Sequence, residues 1–369
     1  MIKRFQHILI IMCLISGLTL SFLFAGAESE QSAYVDVLRI GVDSRALGMA
    51  GAATGLTGSP MGVNWNPALI QSMKNTEIAF MYNHYIKNIS YEYGTISSRV
   101  SDGWAFALSF MSCHTGTWAE TLYSPADETD SLTGVPAAYF VPAISLAMQV
   151  QRNIQFGINM KPIFKSVEGV LGQTIATDLG FLYAKNNIGF GISIRNIGPY
   201  LKYQERTFSL PPIYSTGVSY NFPGKATIAV DLEKPLDQDL IAKTGFEYHL
   251  DNGVSIRSGG ILSSLETKVW GAPGLALGIG FRKKNLKLNY AANFIGFSGA
   301  SHSLSVGYAF IDVEPTPRMR DMDRYENRGN SNDENGGGPM LPKKKARSCL
   351  KIRITTKNLY RKSYSLSVT

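Results

Sequence analysis

From about residue 76 onward the hydrophobicity of this chain alternates residue by residue in long runs, and no other feature constrains its fold as tightly. Trp104, Phe106, Leu108 and Phe110 alternate with Ala105, Ala107 and Ser109. The pattern returns in Ile154, Phe156, Ile158 and Met160 against Gln155, Gly157, Asn159 and Lys161, and in Ile188, Phe190, Ile192 and Ile194 against Gly189, Gly191, Ser193 and Arg195. It returns again in Leu275, Leu277, Ile279 and Phe281 against Ala276, Gly278, Gly280 and Arg282. Period two marks strands with one face in an apolar medium, and here the opposite face is small or polar. The runs are about ten residues long, the length a tilted strand needs to cross a bilayer; strands of a soluble sandwich are nearer five or six. No uninterrupted stretch of about 18 apolar residues follows residue 27, so spanning helices are excluded. The sequence therefore predicts an all-β fold, a transmembrane antiparallel up-and-down β-barrel.

Strands are expected near residues 76–86, 88–100, 103–113, 136–150, 153–166, 172–185, 188–196, 211–222, 225–233, 241–250, 253–264, 272–283, 285–294 and 302–310. That is fourteen, an even number, as bacterial single-chain barrels require. Every second connection is a tight turn: Ser101-Asp102, Gln151-Arg152, Asn186-Asn187, Pro223-Gly224, Asp251-Asn252 and Lys284. The intervening connections are mostly longer, with 114–135 the longest and the one at Lys87 short. Short periplasmic turns alternating with longer external loops is the pattern of outer-membrane barrels. Tyr82, Tyr91, Tyr93, Tyr183, Tyr220, Phe222, Tyr248, Phe281, Tyr290 and Phe294 are candidates for lipid-facing bands and girdles.

The ends of the chain read differently. Residues 1–27 have the form of a secretory signal peptide: Lys3 and Arg4, an apolar stretch from Ile8 to Phe24, then the small residues Ala25-Gly26-Ala27. Residues 311–369 lose the alternation, and Pro315, Pro317, Gly336-Gly337-Gly338-Pro339 and Lys343-Lys344-Lys345 read as a disordered basic tail. That tail carries 13 basic and 7 acidic residues, whereas residues 28–310 carry 21 of each, so the body is neutral despite the overall +8. A nucleic-acid groove would need basic residues clustered in the folded body, and that function class is excluded. Cys113 and Cys349, the two cysteines beyond the signal, lie far apart, and no disulfide framework is indicated.

Between signal and barrel, residues 28–74 form a stretch that is densely apolar and small, yet neither strand nor good helix. Gly41, Gly48, Gly51, Gly55, Gly58 and Gly62 each weaken a helix by roughly 1 kcal/mol relative to alanine. Asn66-Pro67-Ala68-Leu69 reads as a helix start, with Asn66 capping and Pro67 at the first helical position. Leu47, Met49, Leu56, Trp65 and Leu69 precede the first strand and must hide from water, which predicts an N-terminal plug (hatch) segment inside the barrel.

Signatures of chemistry are scarce. The sequence holds no zinc-type Cys or His spacing, no Gly-x-Ser-x-Gly, no phosphate loop and no dinucleotide fingerprint, so no enzyme, metal or cofactor is expected. Candidate lumen residues are the polar ones that alternation is expected to turn inward: Glu92, Asp178, Arg195, Asp231, Lys243, Glu247, Arg257 and Arg282, with Lys161, His249 and Lys287 beside them. With both signs mixed, they form either a selective path or a mutually neutralising fill.

Arg45-Ala46-Leu47-Gly48-Met49, then Gly51-Ala52 and Asn66-Pro67-Ala68, resemble the amino-terminal signature of FadL-like outer-membrane barrels, specifically the PorV/PorQ branch and a related uncharacterised spirochaete family. Asp178-Leu179-Gly180-Phe181-Leu182-Tyr183 and Arg195-Asn196-Ile197-Gly198-Pro199 are similar to that branch as well. The resemblance covers roughly residues 35–310, with Ala50 standing where glycine is usual. It implies an outer-membrane location, in contact with outer-membrane lipid, and a last strand, ending at Phe310, read by the barrel assembly machinery. FadL-like relatives imply passive uptake of hydrophobic small molecules such as long-chain fatty acids, with Arg45, Leu47, Met49, Gly51, Gly55, Asn66 and Pro67 as plug or ligand candidates. PorV-like relatives imply a platform for secreted protein cargo, and a structural surface protein is the third reading. On the uptake reading, bulky replacements at Gly51 or Gly55 are expected to block entry.

Overall fold

Alternation fixes which face of each strand meets lipid, and in the computed structural model every expected run pairs with its sequence neighbours accordingly. The structure describes residues 37–85, 89–115, 119–121, 131–133, 137–167, 169–203, 206–263, 274–294 and 299–310. The expected signal peptide and basic tail lie outside the described residues. The barrel strands are β1 (Glu77–His84), β2 (Ile89–Arg99), β3 (Trp104–Thr115), β4 (Ala137–Gln151), β5 (Ile154–Val167), β6 (Val170–Lys185) and β7 (Ile188–Ile197). They continue with β8 (Ile213–Phe222), β9 (Ala226–Pro235), β10 (Ile241–His249), β11 (Val254–Ser263), β12 (Gly274–Lys283), β13 (Leu286–Phe294) and β14 (Ala300–Ala309). All pairings are antiparallel between consecutive strands, and β14 returns to β1 through Glu77↔Ala309, Tyr82↔Leu304 and His84↔His302. The sheet is thus a closed barrel of 14 strands, with no free edge in the bilayer.

The short turns gather at one end. Asn186 and Lys284 take left-handed backbone at φ 54°, and Gly224 and Gly253 do so at 70° and 84°, which lets two or three residues reverse the chain. Longer connections occupy the opposite end, which by the rule for such barrels faces outward from the cell. There, short paired segments 119–121 with 131–133 and 201–203 with 206–208 elaborate the loops.

Outward positions carry the apolar belt: Ile78, Phe80 and Tyr82 on β1, Trp104, Phe106, Leu108 and Phe110 on β3, and Leu304, Val306 and Tyr308 on β14 are all exposed on the isolated chain. Two residues expected in that belt are not there. Tyr91 and Tyr93 are buried on the inward face of β2, and the Tyr91 hydroxyl donates to the Gly41 carbonyl at 2.5 Å. Period two predicts that two faces differ, but not which one meets lipid. Around Tyr91 and Tyr93 the interior is itself apolar, and the polar alternates Ser90 and Glu92 face out.

Two irregularities have local causes. Between Phe140↔Phe164 and Ile144↔Met160 the β4–β5 ladder is interrupted, where Pro142 and Pro162 both lack an N–H. The β6–β7 register shifts between Thr177 and Leu179, beside Asn196 at φ 63°.

The seam makes a direct expectation. Because the backbone N–H of Phe310 donates to the Thr76 carbonyl at 2.8 Å and all eight β1 residues pair with β14, a chain ending at Phe310 should still form a heat-modifiable barrel. One ending at Gly299 should not, and gel mobility with and without boiling checks both.

Candidate functional site

Residues 37–73 run through the interior from the long-loop end to the short-turn end. Arg39 pairs with Asp237 in the β9–β10 loop, and Asn196 Nδ2 reaches the Leu38 carbonyl. At the far end Gln71 Nε2 donates to the carbonyl of Asp102 in the β2–β3 turn at 2.9 Å. Local structure follows the glycine spacing: one α-helical turn, Ser44–Leu47, is capped by the Asp43 side chain on the Arg45 N–H, and 3-10 turns follow at Pro60–Asn64 and Pro67–Ser72. Asn66 caps the last turn by accepting from the Ala68 N–H at 3.0 Å, with Pro67 at its start. Ala50 and Gly51 follow the helical turn in left-handed backbone, φ 55° and 75°. Alanine adopts this conformation only at a cost, which gives a physical reason for glycine at position 50 in the signature.

The wall receives this segment on a belt of very small inward residues. Ala105, Ala147, Gly157 and Gly180 stand directly opposite one another on β3, β4, β5 and β6. Gly191 faces Gly217 on β7 and β8, and Ala229, Gly245, Gly259 and Ala276 continue across β9, β10, β11 and β12. A Cβ on Gly157 would strike the Pro67–Ala68 backbone, one on Gly191 the Thr54 carbonyl, and one on Gly245 the Met49 side chain at 2.5 Å. The segment therefore rests main chain to main chain on the wall, an approach that glycine and alanine alone permit.

Polar latches fix the seat. Asp231 Oδ2 accepts the consecutive N–H groups of Ala53 and Thr54 at 2.8 and 2.7 Å. Ser219 Oγ donates to the Gly55 carbonyl at 2.7 Å, and Asn66 Nδ2 donates to the carbonyls of Thr54 and of Phe181 on β6, both at 2.9 Å. Arg45 lies on Glu247 through Nη2 at 2.7 Å and Nε at 3.1 Å, and Arg257 Nε reaches the other Glu247 oxygen at 2.8 Å. Burial opposes the Arg45 charge, and the Glu247 carboxylate beside it offsets that cost. Glu233 bridges Arg195 at 2.7 Å and Lys243 at 2.8 Å, and both cations lie 5.4 Å from the centre of the Trp65 ring. Trp65 Nε1 is satisfied by the Val42 carbonyl at 2.9 Å.

The segments carrying the sequence resemblance converge here. Asp178 accepts from Lys161 at 2.7 Å, from Asn159 Nδ2 at 2.9 Å and from the backbone N–H of Asn196 at 2.8 Å, the last supplied by the bulge.

Of the expected site residues, Met49, Gly51, Gly55, Asn66 and Pro67 are buried against the wall, and Arg45 and Leu47 are half-buried. Asp178, Arg195, Asp231, Lys243, Glu247 and Arg257 are inward and buried, while Arg282 faces inward at the short-turn end and is exposed. Glu92 is not in the lumen: it stands opposite Tyr82 and Ser112 on the outward face. Sequence reasoning passed over Glu233, although it shares a face with Asp231 two residues before it. It also passed over the glycine belt as a seat and the inward apolar cluster of Met81, Tyr91, Met111, Tyr139, Val141 and Ile163, onto which Ile40 and Val42 pack.

No protein-family model and no curated protein matches the chain. Solved structures do. The crystal structure of the Pseudomonas putida toluene transporter TodX aligns with TM-score 0.56 at 11% identity, covering 73% of this chain and 98% of that one. A Pseudomonas aeruginosa FadL homologue aligns with TM-score 0.53 at 10% identity, covering 73% and 98%. The Ralstonia pickettii toluene transporter TbuX aligns with TM-score 0.50 at 12% identity, covering 71% and 97%. At such identities the likeness is one of fold: the chain has the fold of the FadL-like barrels.

The seat is testable apart from any function. Gly191→Val should leave a heat-modifiable barrel but overpack the seat by about 1–3 kcal/mol, exposing residues 45–65 to protease that the wild type resists. Glu247→Gln, which strips two arginines of their shared carboxylate, should destabilise by about 3–5 kcal/mol in urea titration of the heat-modifiable form.

Proposed function

We propose that the barrel gives passive passage across the outer membrane to hydrophobic small molecules, long-chain fatty acids among them, with residues 37–73 as the plug that gates it. The observation that carries this reading is the way the segment is held. It forms no ladder with the wall; side-chain latches and van der Waals contact on the small-residue belt retain it, so it can shift without breaking a wall strand. A second feature supports it: toward the long-loop end of β2–β5 the inward face carries an apolar cluster, Ile89, Tyr91, Tyr139, Val141 and Ile163 beside Val37 and Ile40, interrupted on β5 by the inward Lys161 and Lys165. An apolar molecule arriving from outside meets matching surface there before it meets the latches. The named functions of TodX and TbuX, toluene transport, agree with an apolar substrate.

One expectation from sequence reverses. A Cβ on Gly55 would lie 2.7 Å from the Gly189 carbonyl and 2.9 Å from that of Gly217. Gly55→Val therefore dislodges the plug from the wall rather than narrowing a path, and passage should rise several-fold. The measurement is entry of a labelled long-chain fatty acid, and of toluene, into liposomes carrying the mature barrel, wild type beside Gly55→Val. Flux of neither compound through either protein would end this reading, and capture of a secreted protein by the same material would favour the PorV-like platform.

A further inference from the structure

The neutral barrel body hides a segregation of sign between its two ends. Residues 28–310 carry 21 basic and 21 acidic residues, yet the rim at the short-turn end is basic. Arg152, Lys185, Lys225 and Lys284 sit in or beside four of the six short turns, and all are exposed. Arg282 and Lys283 adjoin the last of these turns, and Lys74 precedes β1. On the acidic side the rim has Asp251 and Asp102, the latter paired with Arg99 at 3.1 Å, so eight basic residues stand against two acidic. Apart from Arg99, none of these cations pairs with a carboxylate among the described residues. The charges on the inward face behind the rim balance one another: Lys287 lies on Glu77 at 2.7 Å, and Arg45 and Arg257 stand with Glu247 and the nearby Asp43. His249, 3.7 Å from Glu247, adds a charge there only when protonated.

The opposite end has the other sign. Its seven connections hold nine acidic and four basic residues in sequence, and the longest of them carries Glu120, Asp127, Glu128 and Asp130 with no lysine or arginine. The chain passes Phe310 at the basic end, and residues 311–369 beyond it carry 13 basic and 7 acidic residues, so the continuation does not reverse the sign. Two of the rim lysines extend the lipid-facing rows themselves. On β6 the outward residues run Leu179, Phe181, Tyr183, Lys185, and on β12 they run Leu277, Ile279, Phe281, Lys283. Each lysine thus stands one alternation beyond an aromatic ring, where its stem can lie on apolar surface while the ammonium reaches the headgroups. Aromatic pairs also close the outward faces of β8 and β14 at this end, Tyr220 with Phe222 at 4.7 Å and Tyr308 with Phe310 at 5.2 Å between ring centres.

We propose that this rim is a binding surface for acidic phospholipids, whose headgroup phosphates it gathers from the leaflet on the short-turn side. Solubility alone is served by a surface of mixed sign. A ring of one sign that begins where the aromatic residues end meets the membrane at the depth of its phosphates, and each lysine or arginine near an anionic surface adds to the attraction. A zwitterionic headgroup masks its phosphate with its own cation, so the ring selects headgroups with net negative charge. The surface belongs to the outside of the wall and stands whether or not hydrophobic molecules pass through the barrel.

The test is the lipid selectivity of the mature protein reconstituted in phosphatidylcholine bilayers, read by electron spin resonance of trace spin-labelled phosphatidylglycerol or phosphatidylcholine held at the protein surface. Phosphatidylglycerol should be held at least about threefold in preference at low salt. The preference should largely vanish in about 1 M salt, which screens exposed charges within a few ångströms. The triple variant Lys185→Gln, Lys283→Gln, Lys284→Gln should form a heat-modifiable barrel with about half the wild-type preference or less. Lys202→Gln, at the opposite end, should keep it in full. Should the triple variant fail to fold, the salt dependence and the single variants Lys185→Gln and Lys283→Gln carry the test. Equal association of the two lipids with the wild type, or a preference undiminished in the rim variants, overturns the surface. So does sedimentation with insoluble peptidoglycan that needs the same lysines and comes without lipid selectivity, since the rim would then serve the cell-wall polymer.

Discussion

The interior of this barrel has to be filled by a piece of irregular chain, and the backbone of that piece has to be satisfied without water. Everything else in the structure accommodates this constraint. A strand could have met it by joining a ladder, but the ladders are closed and offer no edge. Residues 37–73 meet it in two other ways. Their short turns satisfy much of their own backbone, as in Leu47 N–H to Asp43, Gly51 N–H to Ala46 and Trp65 N–H to Gly62. Side chains take up much of the rest, with Asp231 of the wall on two consecutive amides, Ser219 on the Gly55 carbonyl, and the segment's own Asn66 joining the Thr54 carbonyl to that of Phe181 on β6. Such bonds are short, so the segment must approach the wall to main-chain distance, and the glycine and alanine belt makes that approach possible.

Charge inside the barrel follows from the same geometry. A lone buried ion is costly, and a pair roughly breaks even against apolar packing, so these groups are better read as specifying position than as adding stability. Glu247 can accept from Arg45 and Arg257 together only when the helical turn carrying Arg45 is in register with β10 and β11. Glu233 likewise sets Arg195 and Lys243 where both meet the Trp65 ring. A one-residue slip of the segment would leave several ions unpaired at once. The ion pairs thus make the seat unique while the belt makes it possible.

How much of this is legible in the sequence depends on which signal is periodic. The wall is, because lipid on one side imposes the same alternation on every strand, and turn residues such as Asn186-Asn187 and Pro223-Gly224 punctuate it. The capped turn at Asn66-Pro67 is legible because its chemistry is local. The seat is not, since Gly157, Gly180 and Gly191 become one surface only through cross-strand register, and that register is not written in any one segment. Glu92 and Tyr91 show the complementary limit. Alternation separates them onto opposite faces, but assigning polar residues inward fails where the amino-terminal segment makes the interior apolar.

The interior is consequently divided along its axis, and the division bears on how it can open. Toward the long loops, Ile40 and Val42 pack on an apolar wall that an apolar ligand can share. Toward the short turns, Arg45 borders a small cavity of about 40 Å³ and a larger one of about 210 Å³ lined by Asn186, Asn187, Asn221 and Thr227. Arg45 also donates to the Thr57 carbonyl at 2.8 Å, which holds residues 57–60 between the two spaces. A ligand shifts a closed state toward an open one only by binding the open one better. Moving a gate from 1:99 to 99:1 takes about 5.5 kcal/mol of such preference. For a purely apolar ligand at about 25 cal/mol per Å², that is roughly 220 Å² of additional buried surface. That is about what a single bulky aromatic side chain buries, so on the proposed reading an apolar molecule of that size entering the cluster of Ile40 and Tyr91 would supply enough leverage to move the segment. What it cannot supply is a partner for Glu247 once Arg45 departs. Arg257 already holds the other Glu247 oxygen, and by staying with the wall it spares that carboxylate from standing alone when the segment moves.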